Sequence, residues 1–219
     1  MTYAQEERAA LAALLAETGP AAATLCEGWQ TRDLVAHLVL RERRPDAAAG
    51  VLGGPLAGYT ARVQAQYLDR CSYPELIALF RDGPPRLSVF AIPGADEAAN
   101  TVEYFVHHED VRRAADGWTE RPGDAGLSEV LWKRLKGARL FLRSAPTGVV
   151  LAREGSGSTT PGGRPPASDL IVAKHAMPSV TVTGSPAELT LWAMGRVRAA
   201  RVTLDGPEDA MAKLTAWRR

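Results

Sequence analysis

The spacing of apolar residues changes character once along this chain, and that change limits the fold more than any other feature. Up to about residue 145 the apolar residues recur three and four apart, as on amphipathic helices. Beyond Pro146 they alternate or run in short blocks, as strands do. The reading is an α+β protein in two parts: a helical bundle over 1–145 and a small α+β domain over 146–219. A first helix over 3–18 puts Leu11, Leu14 and Leu15 on one face and stops at Gly19-Pro20. A second runs over 29–44, with Thr31 as its N-cap and Pro45 at its end. Glycines and Pro55 make a loop of 50–58; further helices follow over 59–68, from Pro74 to near Asp82, over 97–115 and over 127–142. The second part reads as strands over 148–153, 169–174, 179–183 and 201–204, with helices from Pro186 to Met194 and from Pro207 to Trp217. The Gly/Ser/Pro-rich run 154–168 is expected to be a hairpin tip, because strand-like text flanks it. No internal repeat is visible.

Composition removes several function classes. Hydrophobic residues are 46% and charged residues 23%, the balance of a soluble globular chain. Lys plus Arg (26) nearly cancels Asp plus Glu (25), so no field of one sign draws in nucleic acid or an acidic membrane surface. No run approaches the ~20 apolar residues of a membrane span. The first residues are acidic and amphipathic, unlike a signal peptide. A cytoplasmic protein, monomer or homodimer, without nucleic-acid or membrane partners is the expectation. Cys26 and Cys71 form neither a disulfide framework nor a zinc-ribbon motif, and Cys26 reads as a small buried hydrophobe.

Four histidines, His37, His107, His108 and His175, carry the chemistry that can be read. His37 shares a helix face with Leu34 and Leu38, so it points inward. A buried neutral histidine with one hydrogen-bond partner would look the same. Glu103 and His107 stand four residues apart, which on a helix puts a carboxylate and an imidazole on one face. With His37 from another helix they make a His, Glu, His set of metal ligands. Three protein ligands leave a coordination position open, the pattern of catalytic zinc, and bundle interiors commonly build such sites. Glu103 as a solvated charge is the plain alternative. His108 points about 100° away from His107 and is expected to be exposed or to sit behind the ligands, with an exchange of roles between the two histidines as the alternative. Asp110 either orients His107 through its second ring nitrogen or pairs with Arg112 or Arg113 at the surface. Trp29 and Trp192 read as packing residues.

Three stretches resemble one family. Gly28-Trp-Gln-Thr-Arg-Asp-Leu-Val-Ala-His37-Leu resembles the opening of the mycothiol-dependent maleylpyruvate isomerase N-terminal domain, itself among the DinB-like metal-binding bundles. Glu103-Tyr-Phe-Val-His107-His108-Glu109-Asp110-Val111 is similar to that family's E-x-x-x-H-x-x-D helix, and Val182 to Arg196 to the strand–turn–helix of its second domain. Arg41-Glu-Arg-Arg-Pro-Asp46 after the histidine helix resembles a metal-binding branch of the family. The chain departs from typical members over 83–97 and 154–168.

The resemblance implies an up-down DinB-like bundle and a divalent metal, usually zinc, on His37, Glu103 and His107. It implies mycothiol, a low-molecular-weight thiol, as co-substrate, and Arg196 as a catalytic contact to substrate or thiol. Arg196 at a helix C-terminus is also explained by the helix dipole. The implied activity is that of an isomerase or S-transferase in which a metal-bound thiolate attacks a small electrophilic substrate; metal lowers the thiol pKa from about 8.5. The alternatives are a non-catalytic metal-binding module and a metal-dependent hydrolase, for which Asp110 or Glu42 would serve as base.

Overall fold

A computed structural model of the chain describes residues 1–51, 54–85, 94–154 and 166–217. They fold as two compact units, Met1–Glu120 and Arg121–Arg219. The first unit is helical: α1 (Tyr3–Thr18), α2 (Thr31–Arg43), the short α3 (Pro45–Ala48), α4 (Ala57–Arg70), α5 (Tyr73–Arg81) and α6 (Ala95–Arg112). Local chemistry sets the starts. The Thr2 hydroxyl accepts from the Gln5 N–H (3.3 Å) and the Gln5 side chain accepts from the Thr2 N–H (3.1 Å), which caps α1. Ser72 and Glu75 cap α5 in the same way, with a proline in its first turn.

The N-cap of α2 is Gln30 and not Thr31. The Asp33 carboxylate takes the Gln30 N–H at 3.0 Å, while Thr31 lies inside the first turn and its hydroxyl donates back to the Gly19 carbonyl. Pro45 does end α2, but it also opens α3, where its missing N–H costs nothing. α1 packs on α6, and α2 packs on α4 and α5. Their shared core holds Leu11 and Leu15 of α1, Leu34 and Leu38 of α2, Leu76 and Phe80 of α5, and Tyr104 and Val111 of α6.

The second unit holds α7 (Ala125–Arg134), a tight 3₁₀ turn over Leu135–Ala138, the one-turn α8 (Arg139–Leu142), then β1 (Gly148–Arg153), β2 (Leu170–Lys174), β3 (Ser179–Gly184), α9 (Pro186–Ala193), β4 (Thr203–Asp205) and α10 (Glu208–Trp217). The single helix expected over 127–142 is thus broken, and Gly137, a poor helix former, sits in the break. The sheet order is β2-β1-β3-β4. β1 and β3 are parallel; β1–β2 and β3–β4 are antiparallel. β1 and β2 thus pair as the legs of a hairpin do; the tip expected between them falls on 155–165, outside the described residues. Val149, Leu151, Val180 and Val182 meet Leu189 and Trp192 of α9 and Leu214 of α10. Trp132 of α7 belongs to this core, so the compact units divide between Glu120 and Arg121, ahead of the 145/146 boundary at which the text changes. Among the described residues no helix is long and apolar enough to cross a membrane.

Candidate metal centre

His37 sits between Leu34 and Leu38 on the buried face of α2 and is only 4% exposed. Glu103 and His107 are neighbours on one face of α6, one turn apart. Glu103 Oε1 lies 3.2 Å from His37 Nε2 and 3.3 Å from His107 Nε2. The His37 and His107 rings face each other edge on, with centroids 5.3 Å apart. The three ligand atoms lie within 4.8 Å of one another. Ligands about 2.0–2.2 Å from one ion in a tetrahedron stand roughly 3.3–3.6 Å apart. Two imidazole nitrogens and one carboxylate oxygen at these separations therefore fit a divalent ion, with a further coordination position left for another group.

The surroundings hold these side chains in place. His107 Nδ1 is 2.9 Å from Asp110 Oδ2, so the carboxylate fixes the ring and leaves Nε2 turned to Glu103. Asp110 is fully buried. Its backbone carbonyl accepts from Leu25 N–H at 3.0 Å, which ties the segment before α2 to α6. That segment turns sharply at Gly28, whose φ of +75° favours glycine, and Trp29 N–H closes the turn on the Cys26 carbonyl. The turn lays the Trp29 ring 5.1 Å from His37 and brings Cys26 Sγ to 3.2 Å from Asp110 Oδ2 and 3.9 Å from His107 Nδ1. On the other side, Arg41 Nε approaches Glu103 Oε1 at 3.5 Å, while its two terminal nitrogens donate to the Asn100 side chain and the Ala99 carbonyl.

Several expectations change here. Cys26 packs against the first core as a half-buried residue and is in addition a neighbour of the cluster. His108 is buried rather than exposed, with Nδ1 2.9 Å from Glu7 Oε2, because α1 covers that side of α6. Asp110 pairs with His107, whereas Arg112 and Arg113 both pair with Glu109, at 2.8 and 2.6 Å. Glu42 is buried against Arg8 and Tyr104. Arg196 lies just past α9 in the second unit and donates to the Met194 carbonyl at 2.7 Å. His175 is exposed. Sequence reasoning missed Arg41 and Cys26. Arg41 had a usable signal, four residues after His37 and so on the same face. Cys26 had none beyond its place in the turn before the histidine helix.

Burial opposes charge on His107, but Asp110, Cys26 and Glu103 together outweigh it and hold the ring well above the ordinary histidine value. Burial would raise Glu103, yet its hydrogen bonds to His107 and His37 bring it well below the usual carboxylate range. Burial lowers His37, and Glu103 offsets that only in part. The stability from His107 is complete below about pH 6.5 and is lost as pH rises through its raised value. That from His37 is complete above about pH 6.5 and is lost on acidification; that from Glu103 is complete above about pH 4.3. The metal-free protein is therefore expected to melt highest near pH 6.5. Thermal denaturation across pH 4–10 checks this, and His107→Gln should flatten the alkaline side; a wild-type melting temperature still climbing above pH 8 would contradict it.

The sequence model of the mycothiol maleylpyruvate isomerase N-terminal domain matches residues 3–135, more than half of the chain. No curated protein and no solved structure matches significantly. With His37, Glu103 and His107 gathered as described inside the matched span, the chain belongs to the mycothiol maleylpyruvate isomerase N-terminal domain family.

Proposed function

We propose that this protein is a divalent-metal-binding, thiol-dependent isomerase or S-transferase that joins a low-molecular-weight thiol, mycothiol, to a small electrophile. The observation that carries the reading is the convergence of His37, Glu103 and His107 from two helices on one point, with Asp110 behind His107. A divalent ion held there, with zinc the natural choice for this donor set, supplies a Lewis-acid position at which a thiol loses its proton near neutrality.

The chain's own residues supply the rest. Asp110 keeps the proton of neutral His107 on Nδ1, so that Nε2 is the basic edge of the ring. Arg41, anchored on Ala99 and Asn100, limits the rotation of the Glu103 carboxylate. Trp29 shields the His37 ring from water on one side. Arg196 is kept as a proposed contact to substrate or thiol on the family likeness alone. Hydrolysis is less well supported: Asp110 is committed to His107 and Cys26, and Glu42 to Arg8 and Tyr104.

The test is thermal denaturation of metal-loaded protein with mycothiol, with and without a chelator. At 100 times Kd a ligand adds about 2.7 kcal/mol of stability, so an upward shift is expected and should vanish when the metal is stripped. Metal-loaded protein whose melting temperature ignores mycothiol would remove the thiol from the proposal.

A further inference from the structure

The His107 ring has two edges, and the proposed centre uses one. At the other edge Nδ1 meets two more metal-ligating atoms, Asp110 Oδ2 at 2.9 Å and Cys26 Sγ at 3.9 Å, themselves 3.2 Å apart. All three lie within 4.8 Å of one another. A zinc-sized ion bound tetrahedrally by one nitrogen, one oxygen and one sulfur holds them roughly 3.3–3.6 Å apart, and each separation here is within about 0.5 Å of that; the longer bonds of a larger soft ion need the three side chains to open a little further. No helix has to move to close the site. Leu25 N–H on the Asp110 carbonyl already fixes the cysteine turn to α6.

We propose that Cys26, Asp110 and His107 Nδ1 form a second metal position, selective for thiophilic dications such as Cd²⁺. Two features support it. Thiolate ligands select soft ions, whereas the His, Glu, His set has no sulfur. A dication here is neutralised by the Cys26 thiolate and the Asp110 carboxylate, so no net charge is left in a largely buried place; the thiol proton and the proton on His107 Nδ1 pass to solvent, and His107 keeps one proton on Nε2. Cys26 is partly exposed, which gives an ion a way in.

The two positions share His107 and exclude each other. A neutral imidazole has one nitrogen lone pair to give, so an ion on Nδ1 leaves Nε2 protonated and unable to serve the set with His37 and Glu103. A thiophilic ion at Cys26 would thus switch off the proposed centre rather than add to it. This inference goes beyond the proposed activity and needs only the geometry around His107.

The experiment uses the full chain stripped of metal and titrated separately with Cd²⁺ and with Ni²⁺, which reports on the His37 position. Cd²⁺ should produce thiolate-to-metal charge-transfer absorption in the ultraviolet. Cys26→Ser should abolish the band and weaken Cd²⁺ by at least about 100-fold, more than the 10–100-fold that loss of an outer partner costs. Cys71→Ser should keep the band. His37→Ala, and Glu103→Gln as its conservative companion, should lose Ni²⁺ but keep the Cd²⁺ band, so the two readings can fail separately. Cd²⁺ bound without the band, a band that survives Cys26→Ser, or Ni²⁺ and Cd²⁺ bound together at full occupancy would overturn the proposal.

Discussion

His107→Ala is expected to lose bound divalent metal outright while keeping a helical spectrum. His107 faces Glu103 through Nε2 and Asp110 through Nδ1, so its removal deletes one ligand and frees the carboxylate that positions it. Loss of an outer partner alone costs 10–100-fold in affinity, and loss of a ligand should exceed about 100-fold. His37→Ala should act in the same direction, but it leaves the His107–Asp110 pair intact. The measurement is metal content by elemental analysis after gel filtration, beside far-ultraviolet circular dichroism. Full metal content in both variants would refute the assignment of these histidines as ligands.

Arg8→Met is expected to destabilise the first unit by about 3–5 kcal/mol, the cost of breaking a buried ion pair by removing one partner. Arg8 reaches from α1 to the Tyr104 hydroxyl at 2.7 Å, to Asp96 at 3.1 Å and to Glu42 at 3.2 Å, and it lies over the Tyr104 ring. Burial raises the Glu42 carboxyl, and Arg8 with Tyr104 offsets that only in part. Without the guanidinium, Glu42 keeps its desolvation cost and loses its counter-charge. The double variant Arg8→Met/Glu42→Leu should recover much of the loss, because it removes both charges and keeps the volume. Urea denaturation of the two variants and the wild type decides the matter. A single variant within about 1 kcal/mol of wild type would show that the pair carries little.

Much of this was legible in the sequence, and the failures have physical causes. The turn-by-turn spacing of Glu103 and His107, and the register of His37 with Leu34 and Leu38, are local patterns, and the structure keeps them. Cys26 meets Asp110 across 84 positions of sequence through a turn whose direction no periodicity encodes. For His108 the exposed alternative fails because helical angle gives a direction but not what lies there; α1 places Glu7 in that direction. The break over Leu135–Ala138 follows tertiary packing of Leu135 and Ala138 into the second core, against an apolar repeat that continues across it. Arg196 shows the opposite case: its side chain donates to the Met194 carbonyl at a helix end, and a role in chemistry rests on family likeness.

The clasp of Arg41 around Glu103, Asn100 and Ala99 has one more consequence. It fastens α2 to α6 beside the histidines without help from any ion. Ligand side chains already gripped by neighbours need not be gathered from a loose chain, so loading would trade partners rather than drive folding. Stripped protein should then remain a well-formed bundle, ready to be refilled.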